Sequence, residues 1–355
     1  MNSFPDLFYT AAVFAAIAAA LAVCIQGRTD RHAAVVALTW PLMLVYLIGM
    51  HRVGGVDFDS YETYLSGDTQ RDPDIGYRLL MQLANSLGMQ LSEILLVQGL
   101  FTLGAVYLLS RKLQSDFVIT IALYILHAAV VRDFSQSRAA LALAIYFVGL
   151  AQSRRSLYLV FTLLAVSVHL TLVPLVLTYH WARLAVNARR GQVLLVALPA
   201  IGLLAGVTLM LSVLSGIDPR IDTYMNWAQD LYGNPVGSYS TLALYFLIGA
   251  VCYRAYRLTG DENCKAFVIM MLYAATTFVA FRYVAIFAFR LSNVVAALYP
   301  FAVGHAIRVL KEREHNRLHD IAVPLALVGA LLLAVLVRPG SLDILKATAP
   351  SLLAN

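Results

Sequence analysis

A series of ten apolar runs constrains this chain more than any other feature. They fall near residues 7–26, 33–50, 91–110, 116–131, 138–151, 192–215, 239–256, 266–286, 288–309 and 320–337. A helix needs about 20 such residues to cross a hydrocarbon core of about 30 Å. Of the 355 residues 60% are hydrophobic and only 13% charged, whereas soluble domains run at about 25% charged. The chain therefore reads as an all-α polytopic membrane protein, a single integral membrane domain over 1–355 rather than a soluble domain with a tail. The first run lacks a basic leader and a clear cleavage site, so it reads as a retained span.

Charge sets the topology. If segment 156–180 crossed the membrane once, Arg183, Arg189 and Arg190 would lie outside, against the positive-inside tendency. A turn near Ser167-Val168-His169 keeps them in the cytoplasm, with Pro174 helping to break the second limb. The second reading is preferred. It gives about ten transmembrane helices plus a re-entrant helical hairpin, both termini outside. Sixteen of the 26 basic residues then sit at cytoplasmic ends, including Arg111, Lys112, Arg154, Arg155 and Lys265. The net charge of +6 is thus largely topogenic and calls for no nucleic-acid partner.

Two outer loops are long enough to bind something. Residues 51–90 carry Asp57, Asp59, Glu62, Asp68, Asp72 and Asp74, and residues 216–238 carry Asp218, Asp222 and Asp230 with Tyr224, Trp227 and Tyr232. Tyrosines and acids together suit a sugar, because aromatic faces stack on pyranose C–H groups while carboxylates accept hydroxyl hydrogen bonds. An interfacial aromatic belt beside a solvated loop is the alternative.

Arginines mark the chemistry. Arg132 and Arg138 bracket the polar break Asp133-Phe134-Ser135-Gln136-Ser137 between two apolar segments. A charge at membrane depth costs about 2.5–3.5 kcal/mol on insertion scales. Arg138 also opens the helix Arg138-Ala139-Ala140-Leu141-Ala142, where the helix end already carries partial positive charge. An anion bound there removes both conflicts. Snorkelling to the outer headgroups is the alternative, and Arg132 has Asp133 as a local partner. Arg282 and Arg290 form a second pair. On one helix their spacing leaves them about 80° apart, on a broad face. Four arginines in the outer half of the membrane would suit a pyrophosphate, since guanidinium matches phosphate oxygens in pairs.

His169 sits at the proposed hairpin turn, suited to contact a phosphate or a sugar hydroxyl. Cys24, Cys252 and Cys264 show no paired or metal-ligand spacing, and no Walker loop, nucleophile elbow or HExxH segment occurs. No metal and no cofactor is expected.

The order of these segments resembles the EpsG/Wzy-type bacterial polysaccharide polymerases, which make O-antigen or exopolysaccharide. Asp57-Phe58-Asp59-Ser60-Tyr61-Glu62-Thr63-Tyr64 followed by Asp74-Ile75-Gly76-Tyr77 is similar to that family's tyrosine-rich outer loop and acidic-x-Gly-Tyr helix start. Ser137-Arg138-Ala139-Ala140 resembles its arginine helix opening, with alanine where glutamine often follows the arginine. Val168-His169-Leu170-Thr171-Leu172-Val173-Pro174 resembles its buried-histidine hairpin. Arg220-Ile221-Asp222-Thr223-Tyr224 and Arg290-Leu291-Ser292-Asn293 resemble its later outer loop and closing arginine helix. The resemblance covers residues 54 to 300 and implies a GT-C-like glycosyltransferase of the bacterial inner membrane. Such an enzyme takes polyprenyl-pyrophosphate-linked oligosaccharides as donor and acceptor at the periplasmic face, among membrane lipids and with a chain-length regulator as a further partner.

On this reading Arg138 and Arg290 hold the donor pyrophosphate, assisted by Arg132 and Arg282, and His169 supports the phosphate or the adjacent sugar. Asp59 is the expected base for the acceptor hydroxyl, with Asp57, Asp74 and Asp222 as alternatives. Tyr61, Tyr64, Tyr77, Arg220 and Tyr224 complete the substrate-binding set. Two rivals share the pattern: an O-antigen ligase with the same donor, and a lipid-linked sugar transporter without chemistry.

Overall fold

The computed structural model describes residues 58–66, 74–125, 136–186, 235–281 and 285–313, with a few positions between Thr39 and Met50. The spans expected at 7–26, 192–215 and 320–337, and most of the loop 216–238, lie outside the described residues. Among those described, every regular element is helical. The α-helices are α1 (Phe58–Ser66), α2 (Ile75–Ser86), α3 (Leu91–Leu113), α4 (Phe117–Leu123), α5 (Ser137–Ala151), α6 (Arg155–Val168), α7 (Val173–Val186), α8 (Pro235–Thr259), α9 (Glu262–Ala280), α10 (Ala285–Val295) and α11 (Tyr299–Arg313). They divide into two compact units, α1 to α6 in one and α7 to α11 in the other. By length and composition α3 and α9 can each cross a membrane.

Local chemistry fixes the turns of the first unit. Gly88 takes the left-handed conformation (φ 70°) that closes α2, letting the Met89 amide reach the Ala84 carbonyl. Gln90 then opens α3 in a capping box: its amide donates to Glu93 Oε2 at 2.8 Å, which satisfies one orphan group of the helix start. At the far end Asp116 Oδ1 accepts from the Ile119 amide at 3.2 Å and starts α4.

Two side-chain contacts set the direction of packing. Near the start of α3, Gln98 Nε2 donates to the Ser137 carbonyl at 2.8 Å. At its basic end, Lys112 Nζ donates to Ser153 Oγ at 3.2 Å. Helices α3 and α5 therefore run parallel, and α6, which returns from Arg155, runs against both. That topology brings Arg138, at the start of α5, and His169, just past α6, to one end, opposite Arg111, Lys112, Arg154 and Arg155. Every residue of α5 from Ala139 to Phe147 is buried, as expected of a helix surrounded by protein. Its alanines allow close approach. A Cβ at Gly149 would come within 2.9 Å of Phe161 Cβ, so Gly149→Ala is expected to cost about 1–3 kcal/mol by overpacking. Thermal unfolding in detergent checks it, and an unchanged midpoint would show that α6 can withdraw.

The helix breaks where the charge pattern places a turn. His169 is extended (φ −155°, ψ 106°) after α6, and a single 3-10 turn, Leu170–Leu172, leads into α7. Pro174 falls in the first turn of α7, where its missing N–H breaks no helical bond, so it starts the second limb rather than interrupting it. The 14 residues of α6 rise only about 21 Å, short of the bilayer's hydrocarbon thickness.

In the second unit α8 and α9 lie side by side, joined through Gly260 (φ 75°). The expected span 288–309 is two helices instead, α10 and α11, with a turn over 296–298. The reason is Pro300. In a continuous helix its ring would meet the Ala296 carbonyl, whereas at the start of a new helix it does not.

Candidate functional site

The site grows from the starts of α5 and α2. Ser137 is gripped twice by Gln98 of α3: its carbonyl takes the amide N–H bond, and its hydroxyl donates to Gln98 Oε1 at 3.2 Å. All these atoms are buried, so the Gln98 side-chain amide and the Ser137 hydroxyl find their partners inside the protein. This clamp fixes the residue that follows, Arg138. Its own backbone amide faces the Tyr61 hydroxyl at 3.5 Å.

Asp74 precedes α2 and points at both Arg138 and His169. Its Oδ2 lies 3.6 Å from Arg138 Nη1 and 3.1 Å from His169 Nδ1. One carboxylate thus answers the electrostatic conflict that placed an anion at Arg138. Arg138 keeps 26% of its side chain exposed, and Asp74 25%. The pair is neither sealed nor fully solvated, and the guanidinium retains donors for a further anion. Burial raises the Asp74 pKa, but the His169 hydrogen bond, the charges of His169 and Arg138 and the Leu170 amide outweigh it and hold the carboxyl below its usual value.

Three tyrosines wall the cluster. The Arg138 guanidinium carbon stands 5.6 Å from the Tyr64 ring centre and 5.9 Å from that of Tyr77, within cation–π range. Tyr61, Tyr64 and Tyr77 also pack on one another with centroids 5.8 to 6.4 Å apart. Tyr77 is buried, its hydroxyl 3.5 Å from Ser137 Oγ, which joins it to the Gln98 clamp.

Gly76 makes this geometry accessible. A Cβ there would sit 2.8 Å from the Ser167 carbonyl carbon and 2.9 Å from its oxygen. These are backbone atoms that cannot swing away, so α2 touches α6 only because residue 76 has no side chain. Gly76→Ala is expected to push Asp74 off His169 and to lower activity more than it lowers stability. Parallel thermal-shift and activity assays check this, and equal activity would show that the approach is not needed. The sequence carried the signal for Gly76 as part of Asp74-Ile75-Gly76-Tyr77, but gave none for Gln98, whose partner lies 39 positions away.

The structure thus brings together Tyr61, Tyr64, Asp74, Tyr77, Arg138 and His169. Asp59 lies on α1, two residues before Tyr61. Arg290 lies exposed on α10 in the second unit, next to Ser292 and Asn293, whose side-chain oxygens both lie 3.0 Å from the donating Tyr245 hydroxyl. Asp57, Arg132, Arg220, Tyr224 and Arg282 lie outside the described residues.

Residues 35–345 match the EpsG family. The chain belongs to that family, the Wzy/EpsG-type polysaccharide polymerases. EpsG proteins are integral to membranes, which accords with the apolar helices α3 and α9. The family carries a polysaccharide-polymerase role and lipid-linked oligosaccharide substrates in general. The chain matches no curated protein and no solved structure.

Proposed function

We propose that this EpsG-family protein is a glycosyltransferase of the bacterial inner membrane that polymerises polyprenyl-pyrophosphate-linked repeat units at the periplasmic face. The observation that carries the reading is the Arg138–Asp74–His169 cluster beneath Tyr61, Tyr64 and Tyr77. A cation is held at a helix start with donors to spare, beside an acid–imidazole pair and an aromatic wall, which are the groups that a diphosphate leaving group and a sugar acceptor require. Helix α5, with 15 residues, rises about 22 Å from the basic end. With the basic end in the cytoplasm, a rise of that length in a hydrocarbon core of about 30 Å supports the proposal that Arg138 lies in the outer half, toward the periplasm.

The step balances without a metal. The acceptor hydroxyl attacks the anomeric carbon of the donor sugar and forms the new C–O bond, while the bond to the pyrophosphate oxygen breaks. The electron pair leaves with the polyprenyl pyrophosphate, whose charge Arg138 receives, with Arg290 as the proposed second cation and Arg132 and Arg282 as assistants. The hydroxyl proton goes to a base. Asp59 and Asp74 are both proposed for this. In favour of Asp74 is its contact with His169: a carboxylate that accepts from Nδ1–H leaves Nε2 basic, so Asp74 would act through His169, which takes the proton. Asp57, Arg220 and Tyr224 are proposed to line the acceptor side. The whole chain, including the re-entrant hairpin around His169, is proposed as one GT-C-like membrane domain.

Purified full-length protein incubated with lipid-linked repeat units tests the reading. A ladder of glycans lengthening by one unit is expected. Transfer only onto lipid A–core would make it a ligase, and movement of intact substrate across vesicles without new bonds would make it a transporter.

A further inference from the structure

In the second unit, at the end of the helices that carries Arg254, Arg257 and Lys265, a different set of side chains converges. Asp261 precedes α9 and caps it, its Oδ1 accepting from the Cys264 amide at 2.8 Å. His305 reaches the same oxygen from α11, with Nε2 at 3.0 Å. The ligand atoms of Asp261, Cys264 and His305 all lie within 4.8 Å of one another. Cys264 is fully buried and His305 is 3% exposed. Behind them Cys252, fully buried on α8, lies within electrostatic range of both Cys264 and Asp261.

A helix cap and an ion pair explain part of this group but leave a remainder. A thiol and an imidazole gathered around one carboxylate are not needed to cap a helix. The Cys264 amide donates to that carboxylate, and the Cys264 sulfur and the His305 ring nitrogen lie beside it. A cation can bridge the carboxylate, the sulfur and the ring nitrogen.

We propose that Asp261, Cys264 and His305 form a binding site for a soft divalent cation of the zinc class, which staples α9 to α11. Sulfur, nitrogen and oxygen donors together are a zinc set, with bonds of about 2.0–2.3 Å. Tetrahedral ligands on such bonds lie about 3.3–3.8 Å apart, so side-chain rotations of about 1 Å close the site. Binding releases the thiol proton of Cys264. One carboxylate, one thiolate and a neutral imidazole then balance the two positive charges, so the occupied site is electrically neutral, as burial requires. A reducing cytoplasm keeps the thiol available. The spacing hid this site because Asp261 and His305 are 44 positions apart.

Cobalt titration of the purified, metal-stripped full-length protein tests this without any assay of activity. One Co²⁺ per chain is expected, with a near-ultraviolet thiolate-to-cobalt band that zinc abolishes by displacement. Cys264→Ser should remove the band, and Asp261→Asn should weaken cobalt binding at least tenfold. Both variants are near-isosteric, and elution volume and helicity confirm that they remain folded. Should Cys264→Ser not fold, Cys264→Ala replaces it. Absence of a thiolate band in the wild-type protein, or a band of full strength without Cys264, would overturn the proposal and leave a network of protons alone.

Discussion

Arg138→Lys is expected to reduce glycan-ladder formation by roughly 10²–10³-fold, the usual loss when one preorganised donor to a developing anion is removed. Lysine keeps the positive charge, so the ion pair with Asp74 and the topology of α5 should survive. What it loses is the planar fork that offers two parallel donors to phosphate oxygens. It also loses the flat guanidinium that sits 5.6 Å from the Tyr64 ring centre. Gln98 and Ser137 hold the backbone of this position independently of the side chain, so the variant should elute and melt like the wild type. The measurement is a ladder assay on matched amounts of folded protein. Near-normal rates in Arg138→Lys would reduce the arginine to a partner of Asp74. Arg290→Lys is expected to give a comparable loss if both arginines meet one pyrophosphate.

Asp74→Asn is expected to cut turnover by roughly 10²–10⁴-fold, as for loss of a positioned acid–base group. It should exceed the effect of Asp59→Asn, and that comparison decides between the two candidate bases: a larger loss in Asp59→Asn would return the role to Asp59. The amide still fits beside His169 but cannot balance the charge of Arg138. A stability signature accompanies the change. The Asp74 carboxyl titrates below its ordinary value of 3.8 in the folded protein, because hydrogen bonding and positive charge overcome burial. Its stabilising contribution is therefore present above that ordinary value and is lost as pH falls through the lower folded one. The stability gap between wild type and Asp74→Asn should be widest near neutral pH and shrink below about pH 4. A gap that does not change with pH would show that Asp74 is not held as a carboxylate.

The sequence by itself determined the solvent and the helical class, and singled out most of the residues that the candidate site gathers. Hydrophobic runs and the bias of arginine and lysine are one-dimensional signals, because a bilayer imposes a length and a charge asymmetry directly on consecutive residues. The break at His169 was legible for the same reason. So were Arg138 and the tyrosines of α1 and α2, since a charge or a polar cluster in an apolar context stands out without any knowledge of neighbours. The division of 288–309 into α10 and α11 hung on the single residue Pro300, a steric effect that an average over apolar residues hides.

Partnership was decided only by tertiary structure. Asp74 was one acid among six in its loop, and nothing local distinguished it from Asp57 or Asp59. It is set apart because Gly76 lets α2 rest on the Ser167 backbone, which carries the carboxylate to His169 and Arg138, 95 and 64 positions along the chain. Gln98 and Ser137, and likewise Asp261, Cys264 and His305, met by the same kind of contact. Each is a polar group that must find its partner inside a packed interior, and close packing of parallel and antiparallel helices, not spacing along the chain, determines which partners are within 3 to 4 Å.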